Sequence, residues 1–446
     1  MRVRSVTRSP TTRSPAGGSV AQRSGAHSST VRPGASPVDG PPVDGPPVDG
    51  PTLDGPPVDD CAGFAERCWN VAPAVVPMAA PLTVPDAYRM IVEASAPFRA
   101  GTRFHVLPDV RFGTGGGRIR APGDLLPGAA DPDPDSYRSR LGAELAGQGW
   151  LLDVEEPLFG DFAGWLRVRN SIDGLWRRVG FPVVPVRAEL AFGDGVTRTG
   201  GLTRDSRHAV LAWVLRGQLE VRVAGAVRCR AGAGELAYRP AGLPYAETFV
   251  DDCLTLLLRV PSDSRLAVGA VQDTAVELAG DGPATDEVVP YLPVPPSDGI
   301  GPVPMADPLA RAATAVRELS AAAELTRTLR VRWAARVSAG GLEPVPPPRE
   351  PVQLFARTVV RRTAEVVRMR EVRSGWIWAV HGHAFVVRGA VRSLLRRLPL
   401  GVPVRVADVS GSSGDGTPDP GALALLTTLY RLRGVEVLDA PVGEEP

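Results

Sequence analysis

The chain has 446 residues, 43% of them hydrophobic, and a formal net charge of +1. That length admits two or three domains of roughly 100–200 residues, and the apolar share is enough for real cores. The near-zero charge gives no argument for nucleic acid or an acidic membrane as partner, and four cysteines (Cys61, Cys68, Cys229, Cys253) are too few and too scattered for a disulfide framework. No apolar run reaches the ~18 residues of a spanning helix. The first residues lack the hydrophobic core of a secretion signal, so the expected location is the cytoplasm, with no membrane partner.

Residues 1–60 are low-complexity. The first 32 hold Arg, Ser and Thr without an acid, and PVDGP then repeats from Pro37, Pro42 and Pro47. Such an array cannot bury enough apolar area to offset its ordering entropy, and predicts a disordered tail or semi-extended linker. From Phe64 a short helix leads into the apolar VAPAVVP. Pro85 to Ala94, Asp135 to Gly147 and Phe162 to Val179 read as helices, the second with Tyr137, Leu141 and Leu145 at helical spacing. Phe112 to Gly123 is glycine-rich and reads as a flexible surface loop. Trp150 to Val154 is a strand, and Phe181 to Phe192 leads into a barrel.

Residues 201–260 carry the clearest pattern. His208 to Leu215 is a near-continuous apolar run, as for a strand buried on both faces. Gln218 to Val223 alternates, with Leu219, Val221 and Val223 on one face. Gly232 and Gly234 mark a turn, Glu235 to Tyr238 is a short strand, and Pro240, Gly242 and Pro244 make a fixed bend. Val250 to Val260 resumes as a strand, with Leu254, Leu256, Leu258 and Val260 on one face. Short strands between Gly/Pro turns at this spacing predict a β-sandwich or barrel.

Gly234, Pro240 and Gly242 are spaced as in the second cupin motif, G-(x)5-P-x-G-(x)2-H, with Tyr245 in the place of its histidine. The stretch therefore resembles a cupin and, more narrowly, the JmjC oxygenases of the ribosomal-oxygenase branch. In that family a strand of the form H-x-D-x-x-x-V ends in a glycine and a later strand carries a second histidine; these three ligands hold Fe(II) beside 2-oxoglutarate. Counting back from Gly217 puts Arg204 and Ser206 at the first histidine and the aspartate. A one-residue shift offers Thr203 and Asp205. The second histidine falls at Cys253, and the base that grips 2-oxoglutarate falls at Leu219. The resemblance implies an α+β fold: a double-stranded β-helix with flanking helices over 61–265, a linker and dimerisation-like helical segment over 266–345, and a winged-helix-like domain over 346–446.

Beyond Val260 a Pro- and Asp-rich segment runs to about Asp307. Pro308 to Ala335 reads as a long amphipathic helical region, followed by the rigid linker PVPPPREPV. Arg357 to Val372, Trp376 to Val387 and Val404 to Val409 read as strands. Gly389 to Arg397 and Pro420 to Gly434 read as helices, before a last strand VEVLD.

Several residues are candidates for chemistry. His208 is either a core histidine or a ligand with Asp205 or Glu247. Tyr245 and Glu247 either face the barrel mouth or cap it and meet solvent. Cys253 is a soft ligand or a small buried hydrophobe. His381 and His383 stand on one face of a strand, a spacing that occurs in metal sites, but no Cys or further His is near. The arginines around Arg361, Arg368, Arg392 and Arg396 make the C-terminal region basic, but the apolar spacing of Val391, Leu394 and Leu395 makes them a solvated helix face, and nucleic acid is not expected. No Ser–His–Asp arrangement or nucleophile elbow stands out.

Two functions follow. The first is a non-catalytic cupin/JmjC-like protein that holds a peptide, protein segment or small molecule in a pocket formed by Arg204, Ser206, Leu219, Tyr245, Glu247 and Cys253. It needs no cofactor and can form a homodimer. The second is an Fe(II)/2-oxoglutarate hydroxylase with the unusual ligands Asp205, His208 and Cys253. Loss of both histidines, the in-register aspartate and the cosubstrate base together favours the first.

Overall fold

The computed structural model describes residues 61–101, 107–200, 207–223, 226–280, 313–314, 317–318, 323–370, 375–388, 392–411 and 419–438. Residues 264–280 of the Pro- and Asp-rich segment are helical, whereas its residues 281–307, residues 201–206 with Arg204, Asp205 and Ser206, and the repeats of the first 60 residues lie outside the described residues. So does most of the expected helix before residue 323.

Helices α1 (Cys61–Arg67), α2 (Val84–Arg99), α3 (Pro134–Glu144) and α4 (Phe162–Val179) cover one side of the barrel. Three of them start at side-chain caps. Thr83 accepts from Asp86 N, Asp133 from Ser136 N and Asp161 from Gly164 N, each satisfying an orphan first-turn donor. Helix α4 has the expected limits. Helix α3 stops short of Gly147 because Ala146 and Gly147 turn left-handed (φ 50° and 78°). The expected loop from Phe112 is instead a hairpin of β2 (Asp109–Thr114) and β3 (Gly117–Ile119), following β1 (Ala74–Pro77) in the chain. Its glycines form the turn that joins two paired strands.

The barrel is a bent ribbon. Its strands are β4 (Trp150–Glu155), β5 (Arg187–Asp194), β6 (Val196–Gly200), β7 (His208–Val223), β8 (Ala226–Gly232), β9 (Glu235–Arg239) and β10 (Tyr245–Pro261). All belong, with β1 to β3, to one ten-stranded antiparallel sheet. The ribbon has four lanes: β5 then β6, β10, β7, and β8 then β9. Each lane carries left-handed backbone at one common line: Gly195 (φ 61°), Asp251 and Asp252 (both 55°), Gly217 (70°) and Gly234 (86°). Hydrogen bonds tie the line together, from Gly195 N to Phe249 O and from Gly234 N to Val214 O, both 2.9 Å. At this crease the ribbon folds on itself. The two strands expected at 208–215 and 218–223 are thus one strand, kinked at Gly217, and the last barrel strand begins at Tyr245.

Alternation sorts the side chains. Ala209, Leu211, Trp213 and Leu215 of β7 face the helices, together with Leu254, Leu256, Leu258 and Val260 of β10. Val210, Ala212, Val214, Leu219, Val221 and Val223 face the interior between the two halves of the ribbon. This two-sided burial explains the unbroken apolar run. The architecture is mixed α+β with a large antiparallel sheet, consistent with a cupin/JmjC-like fold.

Helices α5 (Ser264–Gly280) and α6 (Ala323–Ser338) follow. Beyond them Arg357 to Val372 is not one strand but two, β11 (Val359–Arg362) and β12 (Val367–Arg370), which join different sheets. Trp376 to Val387 is a hairpin, β13 (Trp376–Val380) and β14 (His383–Val387), turned by His381 and Gly382 at φ 47° and 83°. Helix α7 (Arg392–Arg397) precedes β15 (Pro403–Arg405), and the expected strand to Val409 becomes helix α8 (Val406–Ser410). Helix α9 (Pro420–Arg431) and β16 (Val435–Leu438) complete the chain. Ala334 of α6 packs on Ile377, Ala379, Ala384 and Val386 on one face of the β12–β13–β14 sheet. The other face shares a core with α7, α8 and α9. Among the described residues no helix is long and apolar enough to cross a membrane.

Gly217 is the tightest point of the crease. A Cβ there would sit 2.8 Å from Cys253 Cα, at a φ that L side chains rarely adopt. Gly217→Ala is expected to cost on the order of 3 kcal/mol, read as a lower urea midpoint with an unchanged slope.

Candidate functional site

The barrel interior divides into an apolar and an ionic part. Leu219 and Cys253, both fully buried, belong to the apolar part with Phe249, Leu257, Ala191 and Val214. Leu219 lies opposite Phe249, and Cys253 opposite Gly193. Burial pushes the Cys253 thiol far up, away from the thiolate a metal would need. His208, half-buried, opens β7 opposite Pro261.

The ionic part is centred on Arg198 of β6. Its Nε and Nη2 donate to Glu247 Oε2 at 3.0 and 2.7 Å, and its Nη1 donates to Asp153 Oδ1 at 3.0 Å and to Glu189 Oε1. Arg259 of β10 donates to Glu189 Oε2 through Nε and Nη2, at 2.9 and 2.8 Å. Strand parity places them there: Glu189 shares its face of β5 with Ala191, and Glu247 stands between Tyr245 and Phe249 on β10. Glu247 is only 2% exposed, so it is a buried partner of Arg198 rather than a solvated group. Tyr245 is buried beneath the guanidinium of Arg239, whose Cζ lies 3.5 Å from the ring centre.

Three carboxylates thus meet two guanidinium groups, and the surplus acid shows in the titration. Burial pushes the Asp153 carboxyl up to about 7, with Arg198 opposing and Glu189 reinforcing. Burial also acts to raise Glu189, but Arg198 and Arg259 outweigh it and hold that carboxyl below its usual range. The arrangement can store charge and fix the distance between strands. It does not present a free carboxylate pair.

Fe(II) with 2-oxoglutarate does not fit these donors. Asp153, Glu189 and Glu247 are all committed to guanidinium groups, and Cys253 is enclosed by hydrocarbon. Among the described residues no group of three or more His, Cys, Asp or Glu is placed to hold a metal ion. Nor do His381 and His383 share a strand face as the sequence suggested. His381 sits in the hairpin turn with Nδ1 3.2 Å from Leu432 O, while His383 Nε2 lies 3.0 Å from Pro346 O. Burial pulls His381 down to about 4.

Sequence reasoning missed Asp153, Glu189, Arg198 and Arg259. For Asp153, Glu189 and Arg259 the available signal was a charge next to apolar strand residues, in WLLDV, AELAF and TLLLRV; Arg198, in VTRTG, had none. Such charges are seldom buried unless paired.

No protein-family model matches the chain, and the comparison with curated proteins gives no match. The chain is similar in structure to a ribosomal oxygenase. Its structure aligns with YcfD, a ribosomal oxygenase from Escherichia coli, at 16% identity and a TM-score of 0.42, covering 84% of this chain and 96% of that one. With YcfD in complex with cobalt and 2-oxoglutarate the figures are 15%, 0.43, 84% and 97%. A shorter alignment, over 18% of this chain and 59% of the other, joins it to the EutQ protein of Clostridium difficile at 19% identity and a TM-score of 0.16.

Glu189→Gln breaks the carboxylate that both arginines share, and is expected to cost about 3 kcal/mol, read by urea unfolding at neutral pH. Asp153 behaves differently. Its carboxyl is raised in the folded state, so it opposes folding increasingly as pH rises from about 4 to 7, and no further above 7. Asp153→Asn should therefore gain stability relative to the native chain across that window. Unfolding at pH 5 and pH 8 measures the difference.

Proposed function

We propose that this chain is a non-catalytic cupin/JmjC-like binding protein. It takes a peptide, a protein segment or a small molecule at the barrel mouth, outside the buried Tyr245 and Glu247, with Arg204 and Ser206, which lie outside the described residues, as further candidate contacts. The observation that carries this reading is the fate of two positions. Leu219 and Cys253, where the resembling family has its cosubstrate base and a ligand histidine, lie in one apolar cluster with no exposed surface. The interior acids are meanwhile neutralised by Arg198 and Arg259, as a structural interior requires and an open metal site does not.

The C-terminal region, from about 346, is read as a winged-helix-like domain. The order α7, β15, α8, α9, β16 with β11 as central strand supports this. Helix α9 exposes Pro420, Ala424 and Arg431, and its single basic residue, Arg431, speaks against reading a nucleic-acid groove. The segment over 266–345 and the C-terminal domain are read as the place where a second copy or a partner docks.

Purified protein with Mn(II) and 2-oxoglutarate tests the non-catalytic reading. A ligand at 100 times its Kd adds about 2.7 kcal/mol to stability. The expected result is an unchanged melting temperature and, with Fe(II) and oxygen, no succinate. A clear rise with succinate release would instead establish the hydroxylase built on Asp205, His208 and Cys253.

A further inference from the structure

The connection from α7 to β15 is unusual in being both apolar and exposed. It reads Arg396-Arg397-Leu398-Pro399-Leu400-Gly401-Val402-Pro403-Val404-Arg405. Leu398 is fully buried and anchors one end, while Leu400 and Val402 are 46% and 47% exposed. The exposure is not that of a loose loop. Leu398 N donates to Leu394 O, Gly401 N to Arg362 O and Val406 N to Thr358 O, all at 2.9 Å. The backbone is pinned at three points with two apolar side chains held outward.

Charge surrounds them. Arg396, Arg397 and Arg405 are exposed, and their side chains form no ion pair or hydrogen bond with a described residue. Over 346–446 the sequence holds 14 arginines against ten acids. Exposed arginines beside fixed, exposed apolar side chains are the composition of a binding patch rather than of an ordinary solvated surface.

We propose that this ledge binds an acidic, apolar-bearing peptide segment of a partner protein. Its carboxylates would meet Arg396, Arg397 and Arg405, and its apolar side chains would cover Leu400 and Val402. Charge complementarity selects an anion, and the exposed Leu and Val favour a peptide over a phosphate backbone, which has no use for hydrocarbon. Pro403 lacks an N–H on the outer edge of β15, so recognition runs through side chains rather than through an added strand. The ledge lies outside the barrel and is independent of what the barrel mouth holds.

The test is fluorescence anisotropy of the full chain with a labelled ten-residue peptide alternating Leu with Asp and Glu. Oligo-uridine of equal charge and vesicles of anionic phospholipid serve as competing probes. The peptide should bind, weaken as salt is raised, and lose at least about tenfold in affinity both with Leu400→Ser/Val402→Ser and with Arg396→Glu/Arg397→Glu. Arg405→Glu should weaken it independently, and an unchanged melting temperature confirms that each variant folds. Absent peptide binding, or binding indifferent to either double variant, overturns the proposal. So does tighter binding of oligo-uridine that depends on the arginines alone, or vesicle binding through Leu400 and Val402 without peptide binding.

Discussion

A single guanidinium connects most of the barrel. Arg198, on β6, reaches Glu247 on β10, Asp153 on β4 and Glu189 on β5. A cation buried in this way must be neutralised and hydrogen-bonded, or the folded state loses several kcal/mol. Meeting that demand fixes where four strands stand relative to one another. Buried ion pairs are modest stabilisers against a hydrophobic alternative, but breaking one is costly. Their effect here is to specify register: a one-residue slip of β6 would turn Arg198 away from all three carboxylates.

The crease makes that contact possible. Gly195, Gly217, Gly234 and the pair Asp251–Asp252 line up across the ribbon and let its two halves face each other. The two aspartates are the costly members, since left-handed backbone suits glycine better. Asp252 is held by Arg138 at 2.5 Å and by Arg216 at 3.5 Å, which ties the crease to helix α3 through Arg138. Around it the interior is shared between hydrocarbon, which holds Leu219 and Cys253, and the ionic cluster. Together they fill the interior between the two halves of the ribbon.

Much of this was legible in the sequence. The alternation in β7 and β10 gave both the faces and the barrel, and Gly232 and Gly234 marked a turn. The limits of α4 followed from its amphipathic spacing. What failed has local causes. Arg357 to Val372 and Val404 to Val409 look like single strands because Val, Arg and Thr suit any half-buried extended segment, and only pairing partners far along the chain divide them. His381 and His383 seemed to share a face because nothing in HGH signals that a non-glycine residue will take a left-handed turn. The pairing within the ionic cluster was not legible for a different reason. Arg198 meets partners 45 and 49 residues away, and no local period records such a pairing.

The central claim is that Arg198 and its three carboxylates, with the apolar cluster beside them, leave no free metal donors among the described residues of the barrel interior. Crystals soaked in Mn(II) and 2-oxoglutarate, with anomalous data collected at the manganese edge, test it most directly. The account predicts no manganese peak inside the barrel and Arg198 in contact with Glu189 and Glu247. A peak coordinated by His208, Cys253 and an acid of the 201–206 loop, with 2-oxoglutarate beside it, would contradict it.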